Sequence, residues 1–246
     1  MRKQLLTLIL TAILLLVSET ASHADLVNTG GVLKYYDEAG REAQKIGFDL
    51  SHFNNQVDFM VMHDQGFEFV IVRLGGRGWG SGGVYEDRET MEYLRLAREA
   101  GLQVGAYFYS TAVNTAEAVE EASFAIDILN GTELDLPLFL DMEYSGDYPN
   151  GRADQLSPGQ RADIIAAFCD AVRSAGYNAG LYASEGYLRF DLDSAAILYL
   201  PIWMASYTVD NQLPKYVHSY EIWQQSDSTY AGGVDGAFDL NIILPS

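Results

Sequence analysis

From Lys45 to Ala183, short apolar runs and helix-patterned stretches alternate five times, and this alternation restricts the fold more than any other feature of the chain. The run 69–74 (Phe-Val-Ile-Val-Arg-Leu) is rich in β-branched residues and reads as a strand buried on both faces. Runs 45–50, 103–109, 136–144 and 179–183 read the same way. Helical patterns stand between them. One is short, around 57–65. The next starts near Asp87, places Met91, Leu94 and Ala97 on one face and stops at Gly101. Asn114 with Glu117 three residues on is a capping signature for a helix that stops at Gly131. Ser157-Pro158-Gly159-Gln160 is a capping box with proline at the first helical position. It opens a helix with Ile164, Ile165, Phe168 and Val172 on its buried face. Beyond 183 the helices thin out, and 201–205, 220–224 and 238–242 read as strands joined mostly by loops.

Eight strands, the first five interleaved with helices, predict a closed parallel α/β barrel, one domain, whose last third has lost its helices. Such barrels carry their sites at the C-terminal ends of the strands. Asp49 ends the first strand, Asp141 and Glu143 end the fourth, and Asp239 lies in the eighth. The first and eighth strands are neighbours when a barrel closes, so four carboxylates from three strands are expected to converge on one cleft. Residues at i and i+2 of a strand share a face, which sets Asp141 beside Glu143 while Met142 turns away. Two adjacent carboxyl groups do not both ionise freely, and one is held protonated toward neutral pH. That is the chemistry glycoside hydrolysis requires.

The N-terminus has the pattern of an export signal, with Arg2 and Lys3 before an apolar segment from Leu5 to Val17 and small residues Ser22 and Ala24 at a cleavage site. This predicts a leader over 1–24 and a mature chain that is secreted, extracellular or cell-wall associated. Residues 25–45 are polar, without a clear period, and read as a linker or N-terminal extension before a barrel over 46–246. The single cysteine, Cys169, falls in an amphipathic helix and is expected to pack. The formal net charge of −19 repels nucleic acid and anionic membranes. A polysaccharide must then be held by short-range contacts, which 16 Tyr, 11 Phe and 3 Trp can supply.

Five short motifs, Gly47-Phe48-Asp49-Leu50-Ser51, Leu140-Asp141-Met142-Glu143, Trp203-Met204-Ala205-Ser206-Tyr207, Trp223-Gln224 and Val234-Asp235-Gly236-Ala237-Phe238-Asp239-Leu240-Asn241, occur in the order and rough spacing of the family 25 glycoside hydrolases. The resemblance covers about residues 46–244. It implies a distorted TIM-like (β/α)5β3 barrel and cleavage of the β-1,4 bond between N-acetylmuramic acid and N-acetylglucosamine in peptidoglycan. By resemblance Glu143 matches the general acid. Asp141 matches its partner, which stabilises charge or orients the sugar's acetamido group, and Asp49 and Asp239 match two further acids in the cleft. Asp141 and Glu143 approach a sugar from one side, so they do not flank its bond as acid and nucleophile. The nucleophile is then Asp239 or Asp49 across the mouth or, the favoured expectation, the substrate's own 2-acetamido oxygen. The chain departs from the family pattern at Tyr93, where an asparagine is frequent, and in the glycine-rich loop before it.

Tyr107, Trp203, Tyr207 and Trp223 are candidates for packing against pyranose faces, and each also suits ordinary core. Arg73, ending the second strand, anchors a substrate carboxylate or, as a buried cation, pairs with Asp49 or Glu143. Asp239 has a plainer reading as a cap of the last strand. His52, His63 and His218 lack metal-ligand spacing, and no cofactor is expected. The glycine-rich stretch 75–83 lacks the lysine of a nucleotide loop and reads as a flexible rim. The expected partner is the peptidoglycan glycan strand, met by a monomer with no nucleic acid and no lasting membrane contact. A chitinase-like barrel also ends its fourth strand in Asp-x-Glu but wants an acid at position 139, where this chain has Phe139. A catalytically silent glycan-binding barrel does not need four converging acids.

Overall fold

The computed structural model describes residues 25–29, 32–37, 39–54, 56–207 and 213–244. The expected leader, 1–24, lies outside them. The described residues begin with two antiparallel strands, β1 (Asp25–Thr29) and β2 (Val32–Tyr36). The polar extension is therefore built as a hairpin, docked where the Tyr35 ring meets Trp223 edge-on at 5.9 Å.

The barrel follows in the predicted alternation: β3 (Lys45–Leu50), α1 (Phe59–Asp64), β4 (Phe69–Arg77), β5 (Val84–Glu86), α2 (Thr90–Glu99), β6 (Gln103–Ser110), α3 (Thr115–Leu129), β7 (Leu138–Met142), α4 (Pro158–Ser174) and β8 (Ala179–Ser184). Two short helices, α5 (Glu185–Phe190) and α6 (Ser194–Ile197), precede β9 (Ile202–Ala205), β10 (Ile222–Thr229) and β11 (Phe238–Ile243). Among the described residues eight strands run in the order β3-β11-β10-β9-β8-β7-β6-β4, and β4 pairs back to β3 to close the barrel. All neighbours are parallel except β11, which is antiparallel to both β10 and β3. The fold is a distorted α/β barrel in one domain.

Strand parity divides each strand between two cores. Phe48, Val70, Val72, Val104, Leu138 and Leu140 face outward into a shell with Leu94, Ala97, Ile164, Ile165 and Phe168 of the helices. Phe69, Ile71, Phe139, Trp203 and Ile222 fill the barrel interior. Two inward glycines make room for these rings. A Cβ on Gly47 would stand 2.5 Å from the Phe69 ring, and one on Gly180 would stand 2.6 Å from Phe139. Helix starts follow the sequence signals. Asn114 accepts from the Glu117 amide at 3.0 Å, and Ser157 and Gln160 bond reciprocally at the start of α4. Cys169 is buried within α4, in the outer shell.

One local expectation is corrected. The glycine-rich stretch 75–83 is a loop only over 78–83. β4 continues through Gly75 and Gly76 to Arg77, and β5 folds back on it with Gly76 opposite Tyr85. The close approach needs glycine, since a Cβ on Gly75 would lie 2.1 Å from the Tyr85 carbonyl oxygen. Arg77, buried against α3, donates to Glu121 at 2.7 Å and to the Gly82 carbonyl at 2.6 Å, which ties the hairpin down.

Candidate active site

A cleft of about 320 Å³ opens at the C-terminal end of the parallel strands. Asp49, Asp141, Glu143 and Asp239 all line it; strand order and parity place the first three, and the reversal of β11 against the expected parallel barrel places Asp239. Asp141 is the fourth residue of β7, and Glu143 follows the strand's end with Met142 buried between them. Because β11 runs backwards, Asp239 near its start sits at the same end of the barrel and pairs directly with Asp49.

Two amides organise the acids. Gln224 Nε2 donates to Asp49 Oδ1 at 2.8 Å and to Asp239 Oδ2 at 3.3 Å. Asn241 Nδ2 donates to Asp49 Oδ1 at 2.7 Å, while its own oxygen accepts from the Trp203 indole at 2.7 Å. The hydroxyls of Tyr182 and Tyr207 both donate to Gln224 Oε1, at 2.8 and 2.6 Å, which fixes the orientation of that amide. Asp141 Oδ1 is buried and has no hydrogen-bond partner among the described residues.

Burial pushes every one of these carboxyls upward. Asp49 is raised well above the usual range by desolvation and the Asp239 charge, against the pull of Asn241 and Gln224. Asp141 is raised by desolvation, then by Glu143 and Asp49, with Arg73 opposing. Glu143 opens to water along the cleft mouth, yet the walls desolvate its carboxyl and Asp239 adds repulsion, so it too is raised. Asp239 is lifted to about 6, by desolvation and then by Asp227. Four interacting acids in one cleft hold protons as a group, and a proton donor is available near neutrality.

The candidate aromatic residues divide. Trp203 is the floor of the cleft, buried, with Tyr107 edge-on at 5.7 Å and Tyr182 at 4.4 Å. Tyr207 is half exposed and reaches the site through Gln224. Trp223 is a correction. It faces out of the barrel at 0% exposure, donates to the Ser206 carbonyl and packs on Tyr35, so it touches no part of the cleft. Tyr85, Tyr109, Tyr182 and Phe53 also line the cleft. Strand parity with Tyr107 and with Trp203's neighbours points to Tyr109 and Tyr182, whereas Tyr85 required the hairpin.

Arg73 lines the cleft, but its ion-pair partner is neither Asp49 nor Glu143. Its Nε donates to Asp87 Oδ2 at 2.9 Å, just before α2. His52 Nδ1 lies 2.7 Å from the Arg73 Nη2 and 2.9 Å from Asp87 Oδ2. The neutral ring accepts from Arg73 through that nitrogen, and a ring protonated there donates to Asp87.

The model of the glycosyl hydrolases family 25 matches residues 48–234. The chain belongs to this family. The autolytic lysozyme of Clostridium acetobutylicum is 27% identical over 195 residues, which span 79% of this chain and 54% of that protein. Among solved structures, the modular autolysin LytC of Streptococcus pneumoniae in complex with a synthetic peptidoglycan ligand superposes with a TM-score of 0.73 at 23% identity, over 89% of this chain and 52% of that one. The bacterial lysozyme of Streptomyces coelicolor gives a TM-score of 0.69 at 22% identity over 82% and 93% of the two chains. This family 25 chain thus spans about half the length of the first two relatives, and at these identities the two solved structures share its fold.

Proposed function

We propose that the chain is a secreted muramidase that hydrolyses the β-1,4 bond between N-acetylmuramic acid and N-acetylglucosamine in peptidoglycan. The observation that carries this reading is Asp141, whose buried Oδ1 has no partner among the described residues and stands beside Glu143 in a cleft of raised carboxyls. A buried acceptor without a partner is costly, and a substrate N–H would satisfy it. The 2-acetamido N–H of an N-acetylated sugar is such a donor. Membership in family 25 and the peptidoglycan ligand of LytC support the same substrate class.

The proton inventory follows from that contact. An N–H bonded to Asp141 favours its anion and leaves the shared proton on Glu143, where it serves as acid. Glu143 then protonates the leaving O4 as the acetamido oxygen closes on C1, giving a cyclic oxazolinium stabilised by the Asp141 carboxylate. The Glu143 carboxylate next takes a proton from water, whose oxygen attacks C1 and reopens the ring. Asp49 and Asp239, clamped by Gln224, form the opposite wall.

Digestion of purified peptidoglycan, reduction of the new ends and mass spectrometry test the bond assignment. Reduced muramic acid ends are expected. Reduced glucosamine ends, or cleavage of chitin oligomers alone, would replace the reading with a glucosaminidase or chitinase-like one. For export, N-terminal sequencing of secreted material is expected to begin at Asp25, and Met1 would instead mark a retained leader.

A further inference from the structure

Phe53 is 75% exposed, yet its position is braced. It follows β3 in a turn whose backbone is pinned from several sides. The Ser51 amide donates to Asn54 Oδ1 at 2.9 Å, the Phe53 amide to Ser51 Oγ at 3.3 Å and the Asn54 amide to the Ser51 carbonyl at 3.0 Å. From α2, the Tyr93 hydroxyl donates to the Asn54 carbonyl at 2.9 Å, and the His52 amide donates to Asp87 at 3.0 Å. The His52 ring lies 4.1 Å from the Phe53 ring, tilted by 36°, and the Arg73 guanidinium carbon stands 5.0 Å from its centroid. The phenyl touches these two groups, and most of it is presented to solvent at the cleft wall.

A lone exposed phenylalanine is ordinary on a surface. A phenylalanine held in place by a turn, a tilted imidazole and a guanidinium, on the wall of a cleft, is a preorganised contact, because the entropy of ordering it is already spent in the free protein. The Arg73 charge beside it is balanced by Asp87. The surface therefore suits an uncharged ligand with a flat apolar face, and a pyranose ring presents one in its axial C–H bonds. We propose that Phe53 is a stacking platform for a sugar ring of the glycan strand away from the scissile bond, with His52, Arg73 and Asp87 as its positioning residues. This rests on the reading that the cleft takes a glycan.

The test uses the Glu143→Gln protein, which holds substrate without cutting it, and a peptide-free muramic acid–glucosamine hexasaccharide titrated by calorimetry. Phe53→Ala in that background is expected to weaken binding about tenfold, or about 1.4 kcal/mol, with the melting temperature unchanged. Phe53→Trp is expected to bind within about twofold of the parent. Asp87→Asn should also weaken binding, and adding it to Phe53→Ala should cost nothing more, because both act through one ring. In the active protein Phe53→Ala should raise KM and leave kcat. Equal hexasaccharide affinity with and without the ring overturns the platform, as does a loss confined to free stem peptide. Ring-dependent binding with no cleavage by the Glu143 protein overturns the muramidase reading alone. No binding by any variant overturns both.

Discussion

Asp49 and Asp239 face each other across the antiparallel β3–β11 ladder, and the side-chain amide of Gln224 donates to both, at 2.8 and 3.3 Å. Two acids at this spacing in a buried wall do not both ionise cheaply, so the native state keeps a proton that the unfolded chain would release.

That relationship sets a pH dependence. A carboxyl whose folded pKa is raised contributes stability that is fully present below the unfolded value and is lost as pH climbs through the folded one. For Asp239 the window runs from the ordinary carboxylate range, about 4, to about 6. Asp37, Asp87 and Asp154 are shifted downward and lose their contribution only at lower pH. Calorimetry is therefore expected to show a higher melting temperature at pH 5 than at pH 7, with the difference reduced in Asp239→Asn. A melting temperature that rises across that interval would contradict the shared proton.

Glu143→Gln keeps the shape of the side chain and removes its proton. Release of reducing ends from peptidoglycan is expected to fall by at least about 100-fold, the usual worth of a general acid. The melting temperature should hold or rise, because one of four crowded acids is gone. Near-wild-type turnover would remove Glu143 from the role.

Asp141→Asn tests the acetamido contact. Most activity should be lost, and peptidoglycan whose muramic acid lacks its N-acetyl group should be cut far more slowly by the unaltered protein. Mass spectrometry of the protein during turnover should find no sugar ester. A sugar attached to Asp239 or Asp49 would assign the nucleophile to that wall instead.

Asn241→Leu removes a donor to Asp49 and the acceptor of the Trp203 indole. Both groups are buried; Asp49 Oδ1 keeps its bond from Gln224, while the indole N–H left without its acceptor costs about 1–3 kcal/mol. Urea unfolding should show a loss of that order with an unchanged m-value, a larger penalty than its size-matched hydrophobic character would suggest. An unchanged midpoint would mean that the indole and Asp49 find other partners.

Much of the site was legible without coordinates because its logic is local or nearly so. Strand parity set Asp141 beside Glu143, caps placed the starts of α3 and α4, and the count of eight strands made Asp49 and Asp239 neighbours. The direction of β11 was not legible. Its reversal is what puts Asp239, near the strand's start rather than its end, at the mouth.

Other features depended on which face and which partner the closed barrel selected. Parity states that Trp223 and Gln224 face opposite ways, but not which one faces in. Closure turned Gln224 toward Asp49 and left Trp223 for the Tyr35 ring. Arg73 carried no sequence signal for Asp87, 14 residues on, because that pairing exists only once the β4–β5 hairpin folds back over its glycines. Periodicity and capping act over a few residues and are written in the chain. Charge partners, inward faces and the exposed but braced Phe53 are set by which surfaces meet, and only the closed barrel decides that.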